Sequence, residues 1–92
     1  MTLKKIIDHF GSKHQILKAI EELAELQREL SKYLCSFDDD LVHNLQLSRA
    51  VAEEMADVEL MLDQLKLIFK LDNIEKLKEY KTKRTLARYD LI

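Results

Sequence analysis

Residues 46–70 read QLSRAVAEEMADVELMLDQLKLIFK, and their apolar side chains recur at the three- and four-residue spacing of an α-helix. At about 100° per residue these side chains form one broad stripe: Leu47, Ala50, Val51, Met55, Val58, Met61, Leu62, Leu65, Ile68 and Phe69. Two carboxylates break the pattern, because Glu54 falls in the middle of the stripe and Asp57 at its edge. Carboxylates that face a core are seldom tolerated without a partner charge or a metal. The stretch therefore predicts a long core-facing helix with a candidate functional pair.

Turn residues are nearly absent, since the 92 residues include one glycine and no proline. A sheet protein needs such residues at its hairpins, so the composition predicts an all-α fold. The length allows one domain, residues 1–92. A chain of this size buries too little surface to be secure as a lone monomer, and we therefore expect oligomerisation.

The charge balance and the cysteine count exclude several classes of protein. A net charge of −2 gives no general attraction to nucleic acid or to an anionic membrane. The single cysteine, Cys35, cannot form an intramolecular disulfide and favours a reducing compartment. No apolar run approaches the ~20 residues of a membrane span, and the start of the chain is too briefly apolar for a signal peptide. We expect a cytoplasmic protein with neither a membrane nor a nucleic-acid partner.

Two helices are predicted in the first part of the chain. A short helix covers residues 3–10 and ends at Gly11. Ser12 and Gln15 then have the spacing of a capping box, which opens a long helix that runs to about Cys35.

The second part of the chain is predicted to contain a break, a second long helix and a last helix. The polar run Ser36 and Asp38–Asp40 predicts a break, in which an aspartate caps a short helix or loop over about 40–46. The second long helix covers about 46–70, and Asp72 and Glu75 form a capping-box pattern that opens a last helix to about Tyr89. The predicted architecture is two long antiparallel helices with shorter N-terminal and C-terminal helices, in a bundle completed by oligomerisation.

The first long helix also carries carboxylates beside its apolar surface. Its main stripe is Ile16, Ile20, Leu23, Ala24, Leu30 and Leu34, and Ala19, Leu26 and Tyr33 extend it sideways. Glu22 and Glu25 lie next to this extension, whereas Glu21 lies on the solvent face. Such a wide apolar arc suits a helix that contacts both its own domain and a second subunit.

Each long helix thus has two carboxylates at i and i+3, a spacing that puts them on one face. If the helices pack together, Glu22, Glu25, Glu54 and Asp57 converge. Four anions in a partly buried place repel one another unless cations join them, and all-oxygen ligands select a hard ion. We therefore expect a Mg²⁺ site, with Mn²⁺ as the alternative.

The last helix has a basic row where an apolar face would continue. Ile74 and Leu77 begin the face, and Lys81, Arg84 and Arg88 continue it, so the row is expected to point towards the acidic cluster. Either salt bridges or a Mg-bound polyphosphate would satisfy both groups of charges.

A second group of side chains could contact the base or the phosphates of a ligand. His14 and Gln15 offer a ring and an amide, and Phe10, Tyr33 and Phe37 offer stacking faces, although core packing also accounts for these aromatic residues. Lys83 lies near the end of the last helix, where a cation is also favoured by the helix dipole.

The two carboxylate motifs resemble a known signature. Glu21-Glu22-Leu23-Ala24-Glu25-Leu26 followed by Glu54-Met55-Ala56-Asp57-Val58 is similar to the EExxE…ExxD pattern of the MazG-like nucleotide pyrophosphohydrolases, which belong to the all-α NTP pyrophosphatase superfamily. The resemblance covers most of the chain, from Gly11 to the basic last helix.

The resemblance implies hydrolysis of a nucleoside triphosphate between its α and β phosphorus atoms, which gives the monophosphate and pyrophosphate. By motif, Glu22, Glu25, Glu54 and Asp57 would bind Mg²⁺, and a homodimer or homotetramer is expected. Glu22 or Glu25 would deprotonate the attacking water. Lys81 and Arg84 would stabilise the leaving group, and His14, Gln15, Lys83 and Arg88 would contact the substrate.

Other classes of protein remain open. A non-catalytic helical interaction module would use the same apolar stripes, and would pair Glu54 with a base such as Arg84 or Arg88 across an interface. A di-iron carboxylate bundle normally needs two Glu-x-x-His motifs, and the chain has none. The preferred base and sugar are not specified by the sequence.

Overall fold

The computed structural model describes residues 2–35 and 41–92, and side chains at 41–43 are not described. The described residues form the helices α1 (Thr2–Phe10), α2 (Ser12–Leu34), α3 (Leu41–Ile68) and α4 (Ile74–Arg88), with no strand among them. The predicted all-α fold is confirmed. None of these helices is both long enough and apolar enough to cross a membrane.

The centre of the fold is the pair α2 and α3, and α1 packs against both. The pair is antiparallel, because Gln15 near the start of α2 contacts Gln64 near the end of α3. The apolar core is small and consists of Ile7, Ala19, Val58 and Met61. Within the described part of the chain, α4 packs against no other helix.

The face of α2 that packs on α3 is the sideways extension of its apolar arc and not the main stripe. Gln15, Ala19 and Glu22 are the buried positions of α2, whereas Ile20 and Leu23 of the predicted main stripe are 59% and 46% exposed. A helix inside a two-helix pair can turn only one face to its partner, and here that face is the sideways extension. Among the described residues, nothing covers most of the main apolar stripe of α2.

The start of α2 is also different from the expectation, since Gly11 and not Ser12 is the N-cap, and no side-chain capping bond forms. Gly11 has φ of 89°, a conformation that a residue without Cβ adopts at little cost. Its N–H donates to the Ile7 carbonyl at 2.7 Å, which ends α1, and its carbonyl accepts from the Gln15 N–H at 3.1 Å. One glycine therefore ends one helix and starts the next.

Two other boundaries need correction. The separate short helix or loop predicted over about 40–46 is wrong in the described residues, because α3 already begins at Leu41 and continues without interruption to Ile68. No glycine or proline occurs in that stretch to interrupt a helix. Asn73, and not Asp72, is the N-cap of α4, again without a side-chain bond. The predicted aspartate cap at 38–40 and Phe37 lie outside the described residues.

The turn between α3 and α4 is built on a residue with positive φ. Lys70 has φ of 54°, the Leu71 N–H donates to the Lys66 carbonyl at 2.9 Å, and the Lys70 N–H donates to the Leu67 carbonyl at 3.3 Å. This pair of bonds is the Schellman motif, which satisfies the last carbonyls of α3. The chain thus leaves α3 in a fixed direction even though α4 has no helix to pack on.

Candidate metal centre

Three of the predicted metal ligands come together across the α2–α3 interface. Glu22 and Glu25 on α2 and Glu54 on α3 each offer one carboxylate oxygen, and these oxygens lie within 4.8 Å of one another. The i, i+3 spacing on α2 places two of them on the face that meets α3. The arrangement is an all-oxygen donor set of the kind that hard divalent cations prefer.

Two oxygens of this cluster are buried and have no hydrogen-bond partner: Oε2 of Glu22 and Oε2 of Glu54. The Glu22 side chain is only 9% exposed. A buried carboxylate oxygen without a donor is costly, and natural proteins seldom leave one unexplained. A cation between the two helices would give both oxygens a partner.

Lys18 is the cation that the structure adds to this cluster, and the sequence analysis missed it. Its Nζ lies 3.1 Å from Oε1 of Glu22 and 3.6 Å from Oε2 of Glu21. The hydrogen bond to Glu22, followed by the negative charges of Glu21 and Glu22, raises the pKa of Lys18. The i, i+4 spacing between Lys18 and Glu22 could have revealed the pair. Lys18 neutralises one side of Glu22 and leaves the other oxygen directed away from it.

The environment of Glu54 disfavours a negative charge. Removal from water is the main cause of its raised pKa, and the charges of Glu25, Asp57 and Glu22 act in the same direction. A carboxylate in such surroundings either takes up a proton or binds a cation. Glu54 therefore has the clearest electrostatic reason to accept a metal.

Asp57, the fourth predicted ligand, does not join the group in the described structure. It is exposed, and the cluster of converging oxygens is formed by the three glutamates without it. Its charge is nevertheless close enough to contribute to the raised pKa of Glu54. Asp57 thus lies at the rim of the cluster, at the edge of the stripe where the sequence placed it.

The predicted basic row does not face the acidic cluster within one chain. Lys81, Lys83, Arg84 and Arg88 are all exposed on α4, which packs against no other described helix. Lys83 pairs with Glu79 at 3.0 Å, and the Arg84 guanidinium stacks 5.6 Å from the centre of the Tyr80 ring. The helical spacing correctly put Lys81, Arg84 and Arg88 on one face, but no described helix packs against that face.

The predicted substrate residues His14 and Gln15 differ in burial, since His14 is exposed and Gln15 is buried. His14 is exposed and stacks on Phe10 with the ring centres 4.9 Å apart. Gln15 is 4% exposed, and its amide is already engaged: Oε1 lies 2.7 Å from Nδ1 of His14, and Nε2 donates to Oε1 of Gln64 at 2.7 Å. Gln15 is therefore turned into the helix interface and not towards a ligand.

An open apolar groove lies beside the carboxylates. It is lined by Leu30 and Tyr33 of α2 and by Ser48 and Val51 of α3. Val51 precedes Glu54 by three residues, which is less than one helical turn. Tyr33, one of the predicted stacking residues, is 49% exposed and borders this groove.

Comparisons of the chain with models of protein families, with curated proteins and with solved structures give no match.

Proposed function

We propose that this protein is a Mg²⁺-dependent nucleoside triphosphate pyrophosphohydrolase, which releases a nucleoside monophosphate and pyrophosphate. The observation that carries the proposal is the convergence of Glu22, Glu25 and Glu54 across two helices, with two buried carboxylate oxygens lacking a partner. Glutamates of a solvated helix face would be exposed, whereas here Glu22 is buried and Glu25 and Glu54 are half-buried.

The donor set fits the ion that the proposal requires. Glu22, Glu25 and Glu54 would hold Mg²⁺ or Mn²⁺, and Asp57, at the rim of the cluster, would be a further ligand of the metal site. Bound Mg²⁺ neutralises phosphate charge and lowers the pKa of a coordinated water. Glu22 or Glu25 would accept the proton of the water that attacks the α-phosphorus. Lys18 would hold the Glu22 side chain in position through its ion pair.

Oligomerisation is part of the proposal. The chain exposes 7,729 Å², whereas a compact monomer of 10.9 kDa exposes about 5,600 Å². Its radius of gyration of 17.0 Å likewise exceeds the roughly 12 Å of a compact domain of this length. An excess of about 2,000 Å² per chain matches what obligate homodimers bury. The uncovered stripe of α2 and the unpacked α4 would supply this interface.

The basic residues of α4 would act within such an assembly. Lys81 and Arg84 would stabilise the pyrophosphate leaving group, and Lys83 and Arg88 would contact the phosphates. All four are free of helix packing in their own chain, so α4 is able to lie against a second copy. The groove at Tyr33, which lies beside the carboxylates, is the proposed contact for the base.

The test is a panel of nucleoside and deoxynucleoside triphosphates with Mg²⁺, in ¹⁸O-labelled water and with separation of pyrophosphate from orthophosphate. We expect pyrophosphate from at least one nucleotide, with the label in the monophosphate, because water would attack the α-phosphorus. Release of orthophosphate, or label in pyrophosphate, would contradict the proposed bond cleavage.

Each motif provides its own matched control. Glu54→Gln and Glu22→Gln should abolish turnover, because they remove ligand charge with little change in shape. Glu53→Gln and Glu21→Gln alter the adjacent exposed glutamates and should retain it. Equal losses in all four variants would remove the basis for the site assignment.

The competing function is a non-catalytic helical interaction module. The large exposed side chains of α2, which include Ile20, Leu23 and Leu34, favour this candidate. Such a module would oligomerise but would hydrolyse no nucleotide, and Mg²⁺ would not affect its stability. The two candidates therefore differ in both the turnover assay and the cation response.

A further inference from the structure

A buried amide pair joins α2 to α3 at the end of the interface remote from the carboxylates. Gln15 and Gln64 are each 4% exposed, and Nε2 of Gln15 donates to Oε1 of Gln64 at 2.7 Å. Gln64 continues the chain of contacts, since its Nε2 donates to the Leu60 carbonyl at 3.3 Å and lies 3.7 Å from Sδ of Met61. Both amides are thus engaged in one arrangement of the two helices.

The apolar contacts of this interface specify the alignment of the helices only weakly. Ala19, Val58 and Met61 are the buried apolar residues that α2 and α3 contribute. Leu65 and Ile68, both half-buried, continue the α3 stripe towards its end, so a displacement by one turn would exchange one apolar contact for another. By contrast, the same displacement would leave Nε2 of Gln15 and Oε1 of Gln64 buried without a partner, which is costly. Polar pairs inside helix interfaces are known to fix register for this reason.

The spacing along the helices links this pair to the carboxylates. Ten residues separate Gln15 from Glu25 on α2, and ten residues separate Gln64 from Glu54 on α3. At 1.5 Å per residue both separations are about 15 Å. Because the helices are antiparallel, the alignment that pairs the two glutamines also places Glu25 opposite Glu54. A displacement of one turn would move them about 5.4 Å apart along the axis.

We propose that the Gln15–Gln64 hydrogen bond sets the register of α2 against α3 and thereby assembles the three-glutamate cluster. Gln15 and Gln64 are positioning residues, and neither is needed to touch a ligand. Gln15, expected from the sequence to contact substrate, thus acts through Gln64. The consequence for cation binding rests on the proposed function, whereas the statement about register does not.

The test compares wild type with the double variant Gln15→Leu/Gln64→Leu, which keeps the size of both side chains and removes the hydrogen bond. Spin labels at the exposed positions Lys13 and Arg49, in a Cys35→Ser background, report the distance along the helix pair. Labelled protein is diluted with unlabelled protein so that only distances within one chain are measured. We expect one narrow distance in wild type, and in the variant a broadened distribution or a second distance displaced by about one turn, 5.4 Å.

A second readout is Mn²⁺ affinity, which we expect to fall about 10–100-fold in the double variant, as for other residues that orient metal ligands. Val58→Ile, which adds one methylene at a buried apolar residue of the same interface and has no hydrogen bond to either amide, is the matched control and should change neither readout. An unchanged single distance in the double variant would overturn the proposal. If wild type binds no Mn²⁺, the proposed function fails, and the distance measurement still decides the question of register.

Folding of the variants is checked by circular dichroism. If the double leucine variant fails to fold, Gln15→Met/Gln64→Met, with unbranched side chains, takes its place. Unfolding of both variants would assign the pair to stability and not to register, and would also overturn the proposal.

Discussion

The carboxylate cluster predicts a specific response of protein stability to Mg²⁺. A ligand that binds only the folded state at 100 times its Kd stabilises it by about 2.7 kcal/mol. For a domain of 60–100 residues each kcal/mol raises the Tm by about 4–8 °C. The 92-residue chain should therefore gain about 11–22 °C in Tm with saturating Mg²⁺, because the cation gives the unpartnered oxygens of Glu22 and Glu54 a ligand bond.

Wild type and the variant Glu54→Gln should exchange their order of stability when Mg²⁺ is added. Without metal, Glu54→Gln should melt above wild type, because it removes a carboxylate whose pKa is raised by burial and by neighbouring charges. With saturating Mg²⁺ wild type should melt above Glu54→Gln, since the variant has lost a ligand. Glu53→Gln, on the exposed neighbour, should keep the wild-type gain.

The assay is differential scanning calorimetry or fluorimetry in chelator and in Mg²⁺, with NaCl added to equal ionic strength because salt alone screens the repulsion. A rise with Mg²⁺ no larger than that with NaCl would refute the metal site. Equal rises in Glu54→Gln and Glu53→Gln would show that the cation binds elsewhere.

Three further results follow from the described contacts. The raised pKa of Glu54 means that its carboxyl proton is held more tightly in the folded state than in the unfolded chain, so metal-free protein should lose stability as the pH rises from the usual pKa of 4.5 through the raised pKa. Thermal melts of wild type and Glu54→Gln across this pH range test the prediction. Parallel pH profiles of the two proteins would contradict it. Gln64→Leu should cost about 1–3 kcal/mol because it leaves the buried Gln15 amide unpaired, and adding Gln15→Leu should recover much of this loss in urea unfolding, whereas additive losses would exclude coupling. Lys70→Gly should raise the free energy of unfolding by about 0.5–1 kcal/mol, because φ of 54° is strained for a residue with a side chain. Asp90→Gly, at a residue with φ of 55° at the end of the unpacked α4, should change the free energy of unfolding less. A lower Tm for Lys70→Gly would show that the backbone at Lys70 is not strained.

Local sequence signals were sufficient for the helices and for most of the cluster. Helix formation depends on apolar periodicity and on the near absence of glycine and proline, both of which can be read from the chain itself. The i, i+3 spacing of Glu22 and Glu25 fixes their common face, and the place of Glu54 within an apolar stripe marks it as directed inward. These three residues converge in the structure for those reasons.

The tertiary structure decided which surface of each helix packs against another helix. Periodicity alone could not show which part of the wide apolar arc of α2 would meet α3. The face that meets α3 includes Gln15 and Glu22, and the most apolar stripe lies outside it. Gln64 could have been suspected because it lies seven residues after Asp57, on the same edge of the helix, but its partner is 49 residues away along the chain.

The same distinction accounts for the basic helix. The sequence determined that Lys81, Arg84 and Arg88 share one face of α4, since that follows from helix geometry. Only the tertiary structure showed that this face meets no other described helix, because the Schellman turn at Lys70 directs α4 away from the α2–α3 pair. Secondary structure is fixed by neighbours along the chain, whereas the site depends on which helix faces meet and in which register.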